Sequence, residues 1–223
     1  MSNINIERLK NIRDSVDLLL LGVTGGIASG KTTVANILED LGAHTIDFDA
    51  LARHVVEPGK QAFQEIIAHF GKEVLLNDGG LDRKKLAGIV FEDEEKRKRL
   101  ESMTHPHIFE EFKRRVGRIA GKDPHGIVQA VIPLLFEFHL QHLVHKVLVV
   151  YVPKETQIKR LVERDGITEE EAAKRLKAQL PISEKVMYSD FMINNDCPVE
   201  ETQKQVKDLW QFLNIIQNEM RKE

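Results

Sequence analysis

GVTGGIASGKTT, from Gly22 to Thr33, is the stretch on which the fold turns. Gly25, four residues, then Gly30, Lys31 and Thr32 fully match the phosphate-binding loop, in which the backbone N–H groups of a glycine-rich turn cradle phosphates. The flanks supply the context the pattern needs. Leu18 to Thr24 is a short apolar run between polar flanks, as a buried parallel strand would be. From Gly30 onward, KTTVANILEDLG sets Val34, Ile37, Leu38 and Leu41 at helical spacing, with Gly42 as a stop signal. Strand, loop and helix in that order turn the loop amides inward, and the helix N-terminus adds the positive end of its dipole. Phosphate is the ligand such a nest suits. Lys31 is expected to place its ammonium on the β- and γ-phosphates, and the Thr32 hydroxyl to help hold Mg²⁺.

Alternation of strand and helix continues downstream. His44 to Phe48 reads as a second strand running into Asp49, and ALARHVV as the helix after it. Between Glu57 and Gly126 the alternation gives way to a helix-rich block: QAFQEIIAHF, LDRKKLAGIVF, EEKRKRLESM and HIFEEFKRRVGRIAG. Strand signals return at Gly126 to Ile132, at Lys146 to Val152 and in FMIN at Phe191 to Asn194. Thr168 and Glu171 have capping-box spacing, and VEETQKQVKDLWQFLNII reads as a closing amphipathic helix. Strands alternating with helices predict an α/β protein with a doubly wound sheet and helices on both faces.

Composition narrows the function classes. The 223 residues suffice for one domain with an insertion, and 42% hydrophobic with 30% charged residues fits a globular protein. No apolar run approaches the roughly 20 residues needed to span a membrane, and MSNINIERLKNIRDSVD lacks the features of a secretory signal. A cytoplasmic protein is expected, without membrane or nucleic-acid partners, since the net charge is −3 and basic runs such as Lys96 to Arg99 sit beside acidic ones. Cys197, the single cysteine, reads as a small buried hydrophobe.

Two constellations could carry chemistry beside the loop. Asp47 and Asp49 stand two apart at the end of the second strand, so that in extended conformation both carboxylates would face one side, off the strand ends where ligands of α/β sheets bind. A carboxylate there could take a proton from an acceptor hydroxyl; alternatively Asp49 caps the next helix. Arg160 and Arg164 stand four apart on one helix face and could clamp a transferring phosphoryl group, or could be solvated, with Glu163 as partner. A guanine-specificity element of the Asn-Lys-x-Asp kind is absent, which argues against a switch GTPase. Retention of Lys31 and the acidic pair argues against a degenerate binding module.

TGGIASGKTTVA, IDFDALARHVVEPG, GGLDRKKLAGIVF, THPHI, IPLLFE and QIKRLVERD come in an order and spacing that resembles the dephospho-coenzyme A kinases, from Leu19 onward. The resemblance implies a P-loop kinase fold similar to nucleoside monophosphate kinases: a five-stranded parallel sheet flanked by helices, with a helical acceptor-binding insertion and a helical lid. Residues 18–56, 127–156 and 184–223 would form the nucleotide-binding core, 57–126 the acceptor domain, 157–183 the lid and 1–17 an N-terminal extension. It implies transfer of the γ-phosphate of ATP, with Mg²⁺, to the ribose 3′-hydroxyl of dephospho-CoA, by a monomer or weak homo-oligomer. The other reading is a further small-molecule kinase of the same type.

Carried over by position, Gly25, Gly26, Ile27, Ala28, Ser29, Gly30, Lys31, Thr32 and Thr33 bind ATP. Asp49 is the base, Thr24 lies beside the reacting phosphates, and Arg160 and Arg164 are the lid arginines. Asp47, Arg53, Arg83, His105 with Pro106, Leu134, Leu135 and Glu137 fall on the acceptor side, and His105 could instead cap the helix after it. Three departures stand out. Ala28 replaces a usual glycine, tolerable if that position does not need positive φ. Residues 1–17 have no family counterpart and read as a surface helix or disordered extension. QAVIPLLFE lacks an Asp, leaving Asp47 or Asp49 to supply any metal-binding carboxylate.

Overall fold

The computed structural model describes residues 12–221. In chain order the elements are β1 (Leu19–Gly25), α1 (Lys31–Asp40), β2 (His44–Asp47), α2 (Phe48–His54), α3 (Gln61–Phe70), α4 (Arg83–Phe91), α5 (Glu94–Ala120), β3 (Ile127–Val131), β4 (Lys146–Tyr151), α6 (Lys154–Asp165), α7 (Glu169–Lys177), α8 (Ile182–Met187), β5 (Phe191–Asn194) and α9 (Val199–Met220). The chain divides into two compact units. Among the described residues, one contains Phe48–Val116, and the other residues 12–47 with 117–221.

The sheet unit has five strands in the order β2-β3-β1-β4-β5, all parallel. Central β1 pairs Leu19 to Val23 with Ile127 to Val131 on one side, and Leu21 to Gly25 with Lys146 to Val150 on the other. Every residue of β1 is buried, which is why it reads as a continuous apolar run. Leu19, Leu21 and Val23 alternate onto the face covered by Val34 and Leu38 of α1 and by Val206, Leu209 and Leu213 of α9. On the other face the Cβ that Gly22 lacks would lie 2.7 Å from Leu135 Cδ1 and 3.1 Å from Val144. Glycine is needed there so that the segment after β3 can lie against the strand. With all strands parallel, their carboxyl ends share one edge, and the sheet exists to present that edge.

Two expectations for the flanks change. Ile12 is 1% exposed and Gln217 Nε2 on α9 donates to Asp17 O at 2.7 Å, so residues 12–17 are anchored at both ends, while Arg13–Ser15 form a short surface turn with no buried residue; the rest of that expectation, on residues 1–11, lies outside the described residues. Cys197 is partly exposed. Its thiol lies 3.3 Å from Asn194 O, within hydrogen-bonding reach of that carbonyl. The Thr168–Glu171 capping box forms as expected at the start of α7, with reciprocal bonds of 3.2 and 3.0 Å.

The helical unit packs α2, α3, α4 and most of α5. Leu51, Ile66, Phe112 and Val116 are almost wholly buried, and Phe48 stacks at a tilt on Phe112 with centroids 5.0 Å apart. Asp82 caps α4 by accepting from Lys85 N at 2.9 Å. The two helical segments read from EEKRKRLESM and HIFEEFKRRVGRIAG are one 27-residue helix with Pro106 inside it. A proline interrupts the helical hydrogen-bond ladder but does not end a helix that packing holds on both sides. Met103, Ile108 and Phe109 supply that packing. His105 is therefore a mid-helix residue and caps nothing.

Candidate active site

Gly25 ends β1 at the carboxyl edge, and the loop that follows closes on itself before α1 begins. Ser29 N donates to Gly26 O at 3.2 Å, and Thr33 N and Val34 N both donate to Gly30 O. Gly30 is required twice over: its φ is 84°, and a Cβ there would run into Asn195 Nδ2. Lys31 Nζ donates to Gly26 O at 2.8 Å and to Gly25 O at 3.3 Å, so its ammonium lies over the strand end of the loop. Thr32 and Thr33 are exposed at the first turn of α1.

Ala28 departs from expectation. Its φ is 59°, in the left-handed region, so the position does take the positive φ that an alanine methyl disfavours. The cost is roughly 1–2 kcal/mol for a non-glycine residue. On either side of it, Ile27 N donates to Gln179 Oε1 and Ser29 N to Gly26 O.

The sequence did not single out Asn195, which comes just after β5. It is buried; its Nδ2 donates to Ser29 O at 2.8 Å, and its Oδ1 accepts from Thr202 Oγ1 at 3.0 Å. Arg160 Nη2 donates to the Asn195 carbonyl at 2.9 Å, so this arginine is tied to the loop through one residue. Arg164 is turned elsewhere. It forms a two-pronged pair with Asp165, which Arg175 also engages, and that bonding holds the Asp165 carboxyl below its ordinary range. The two arginines share a helix but not a partner, and Glu163 is not the partner of Arg164. The only signal for Asn195 was its place beyond a strand's carboxyl end, where ligands of parallel sheets bind.

Three expected contact residues are used internally. Thr24 is fully buried, and its Oγ1 donates to Pro133 O at 3.2 Å. Leu135 is fully buried against Gly22 and is core. Glu137 Oε1 accepts from Leu180 N at 2.9 Å and pairs at 2.8 Å with Lys185, a lysine with no exposed side chain; Lys185 Nζ also reaches Pro133 O at 3.3 Å. Leu134 is partly exposed.

Asp47 is the last residue of β2, at the same edge as the loop. Asp49 is not on the strand. Phe48 begins α2, so Asp49 lies in that helix's first turn, where a carboxylate is favoured by the helix dipole. The shared strand face expected for the two aspartates is lost, because burial of Phe48 turns the chain into helix one residue early.

Within the helical unit, Arg53 and Arg83 come together. Arg83 Nη2 donates to the Arg53 carbonyl at 2.9 Å, and Arg53 Nε donates to Asp49 O at 3.3 Å, so two exposed guanidiniums and Asp49 form one surface cluster. His105 is half-buried edge-on to Phe109, and burial pushes its pKa down. Further along α5, bonds from Arg114 and Arg115 hold Glu111 at about 2.

A phosphate-binding loop at the carboxyl edge of a five-stranded parallel sheet, together with a separate helical unit, defines the class of P-loop kinases. A family model described as dephospho-CoA kinase matches residues 19–201, and the chain belongs to that family. It is 47% identical over 189 residues to a dephospho-CoA kinase of Listeria monocytogenes serovar 1/2a, covering 83% of this chain and 92% of that one. A Thermus thermophilus protein of known crystal structure matches with a TM-score of 0.75 at 32% identity, over 88% of this chain and 98% of that one. Dephospho-CoA kinase from Campylobacter jejuni matches with a TM-score of 0.62 at 30% identity, over 89% and 98%.

Proposed function

We propose that this protein transfers the γ-phosphate of ATP to the 3′-hydroxyl of the ribose of dephospho-CoA, giving coenzyme A and ADP. The observation that carries the reading is the Gly25–Thr33 loop, closed and carrying Lys31, in a chain that matches the family model over residues 19–201. In the transfer, the acceptor oxygen forms a bond to the γ-phosphorus while the bond to the β,γ-bridging oxygen breaks. ADP leaves, and the hydroxyl proton passes to the Asp49 carboxylate, as expected of a base at such a site. Lys31 neutralises charge on the phosphates, and Arg160, which Asn195 ties to the loop, adds a second cation. Arg53 and Arg83 are proposed to hold anionic groups of the acceptor. The stretch 157–183 is proposed as the lid, whose closure would exclude water that could otherwise consume ATP.

Thr32 is the residue that would hold Mg²⁺, with Asp47 or Asp49 to supply any carboxylate. Among the described residues no three His, Cys, Asp or Glu side chains are placed to hold a metal, which fits an ion held by one or two protein oxygens and otherwise by phosphates and waters. Bound there, the ion would neutralise charge developing on the phosphates. Among the described residues no helix is long and apolar enough to cross a membrane. We place the reaction in the cytoplasm and propose a monomer or weak homo-oligomer.

The test is ATP consumption with dephospho-CoA, adenosine, AMP and shikimate offered in parallel. Dephospho-CoA should be turned over with the highest kcat/KM. Preference for any of the other three would overturn the reading in favour of another small-molecule kinase.

A further inference from the structure

We infer that Gln179 contacts the terminal phosphate of the bound nucleotide and so distinguishes ATP from ADP. The inference rests on the phosphate-loop reading and adds to it a residue from the α7–α8 connection. Gln179 Oε1 accepts from Ile27 N at 3.1 Å. Because an N–H can only donate, the carboxamide must present its oxygen to the loop, and the Nε2 group is left at the other end. Among the described residues, that Nε2 makes no hydrogen bond, and the half-buried Gln179 lines a cavity of about 360 Å³ beside Gly26, together with Lys154, Gln157, Lys177 and Ser183.

The end of the loop that Gln179 touches is set by Lys31. A P-loop lysine reaches the β- and γ-phosphates, and the Lys31 ammonium lies over Gly26 O, next to Ile27. Gln179 therefore stands at the γ end of the loop, in the lining of the cavity, with two neutral N–H donors not used by the Ile27 bond. A neutral donor held by the loop itself can bond a phosphate oxygen without the desolvation cost of a further charge.

Gln179 is also held in place from behind. The next residue, Leu180, donates its N–H to Glu137 Oε1, which the fully buried Lys185 fixes at 2.8 Å. Lys185 Nζ and Thr24 Oγ1 converge on the same Pro133 carbonyl. A buried ion pair is poor evidence of stability, but one partner cannot be removed without leaving a buried charge, so Leu180 has little freedom to shift. Glu137 and Lys185 are thus positioning residues for Gln179.

The test uses the full chain with Gln179→Ala and Gln179→Glu, titrated calorimetrically with ADP and with a non-hydrolysable ATP analogue, and assayed for kcat from pH 5.5 to 8.5. Losing a hydrogen bond to a charged group should weaken analogue binding about tenfold while leaving ADP binding close to that of the parent, and kcat should fall by a similar factor. Gln179→Glu keeps the acceptor for Ile27 N but loses the donor, so its kcat should recover as pH falls and the carboxyl is protonated; Gln179→Ala should not recover. Equal losses for ADP and the analogue would make Gln179 a strut of the loop and overturn the inference. So would a parent-like affinity ratio, or full activity of Gln179→Glu at pH 8.5. Lys31→Ala serves as the control for the underlying reading: if it binds both nucleotides as the parent does, the phosphate-loop reading fails, whereas a loss there with unchanged Gln179 variants sinks this inference alone.

Discussion

The loop at Gly25–Thr33 and the cluster at Asp49, Arg53 and Arg83 represent two ways of building a site. The loop is made by nine consecutive residues, and its ligand groups are mostly backbone amides, whose positions follow from φ and ψ along a short stretch. The cluster is made by side chains from α2 and α4, with Arg83 bonded to a carbonyl thirty positions earlier in the chain. A backbone site is written locally and survives changes elsewhere. A side-chain cluster exists only once helices have packed, and it depends on the burial of residues such as Phe48, Leu51 and Phe112 in the helical unit.

The largest effect expected is at the loop. Lys31→Ala should lower kcat by a factor on the order of 10²–10³, the usual worth of one preorganised electrostatic donor; steady-state kinetics with near-parent turnover would break the assignment of the loop as the phosphate site. In the cluster, Asp49→Asn should lower kcat by about 10² with ATP binding kept, as for loss of a general base. If ATP binding falls in step, Asp49 belongs with the metal and Asp47 should be tried as base. Arg83→Ala should raise KM for the acceptor about tenfold and leave KM for ATP unchanged, the loss expected for one charge-assisted bond. A matching rise for ATP would erase the distinction between donor and acceptor units.

Acid should separate the units as well. In the sheet unit, burial and the Arg13 charge push His145 down to about 4, below its ordinary 6.5. The unfolded chain takes up that proton first, so stability falls as pH drops from about 6.5 to 4. In the helical unit Glu111, held at about 2 against 4.5, contributes stability that is complete above about 4.5 and lost as pH falls through 2. Melting followed at a series of pH values should show a loss between pH 6.5 and 4 that Glu111→Gln leaves in place, and a further loss below pH 4.5 that Glu111→Gln flattens. Coincident windows would mean that neither group governs its unit. The smallest effect is at Ala28→Gly. Relief of the left-handed alanine is offset by the extra unfolded-state entropy of glycine, for a net gain of no more than about 1 kcal/mol in thermal unfolding; marked destabilisation would mean that the Ala28 methyl contributes packing that outweighs its strain.

The five strands, their helices and the phosphate loop could be read directly because each rests on local patterns: continuous apolar runs for strands buried on both faces, helical spacing for α1 and α9, and glycines where the backbone must turn. What the sequence left out depended on neighbours. Thr24, Leu135 and Glu137 stand at suggestive positions, yet Pro133, Gly22 and Lys185 claim them, and nothing in the sequence pairs residues 24 with 133 or 137 with 185. The same holds for Asn195 and Gln179, polar residues in polar segments that only the folded chain brings to the loop, one from beyond β5 and the other from the α7–α8 connection.

The sequence by itself therefore determined which segments along the chain are strands and helices, together with the loop and its lysine, because hydrophobic period and glycine placement act over a few residues. Only the tertiary structure decided which polar side chains face the loop and which are used up inside the molecule. A side chain's chemistry is fixed by its covalent structure, but whether that chemistry is available depends on which atoms lie within about 3 Å of it, and long-range packing sets those neighbours.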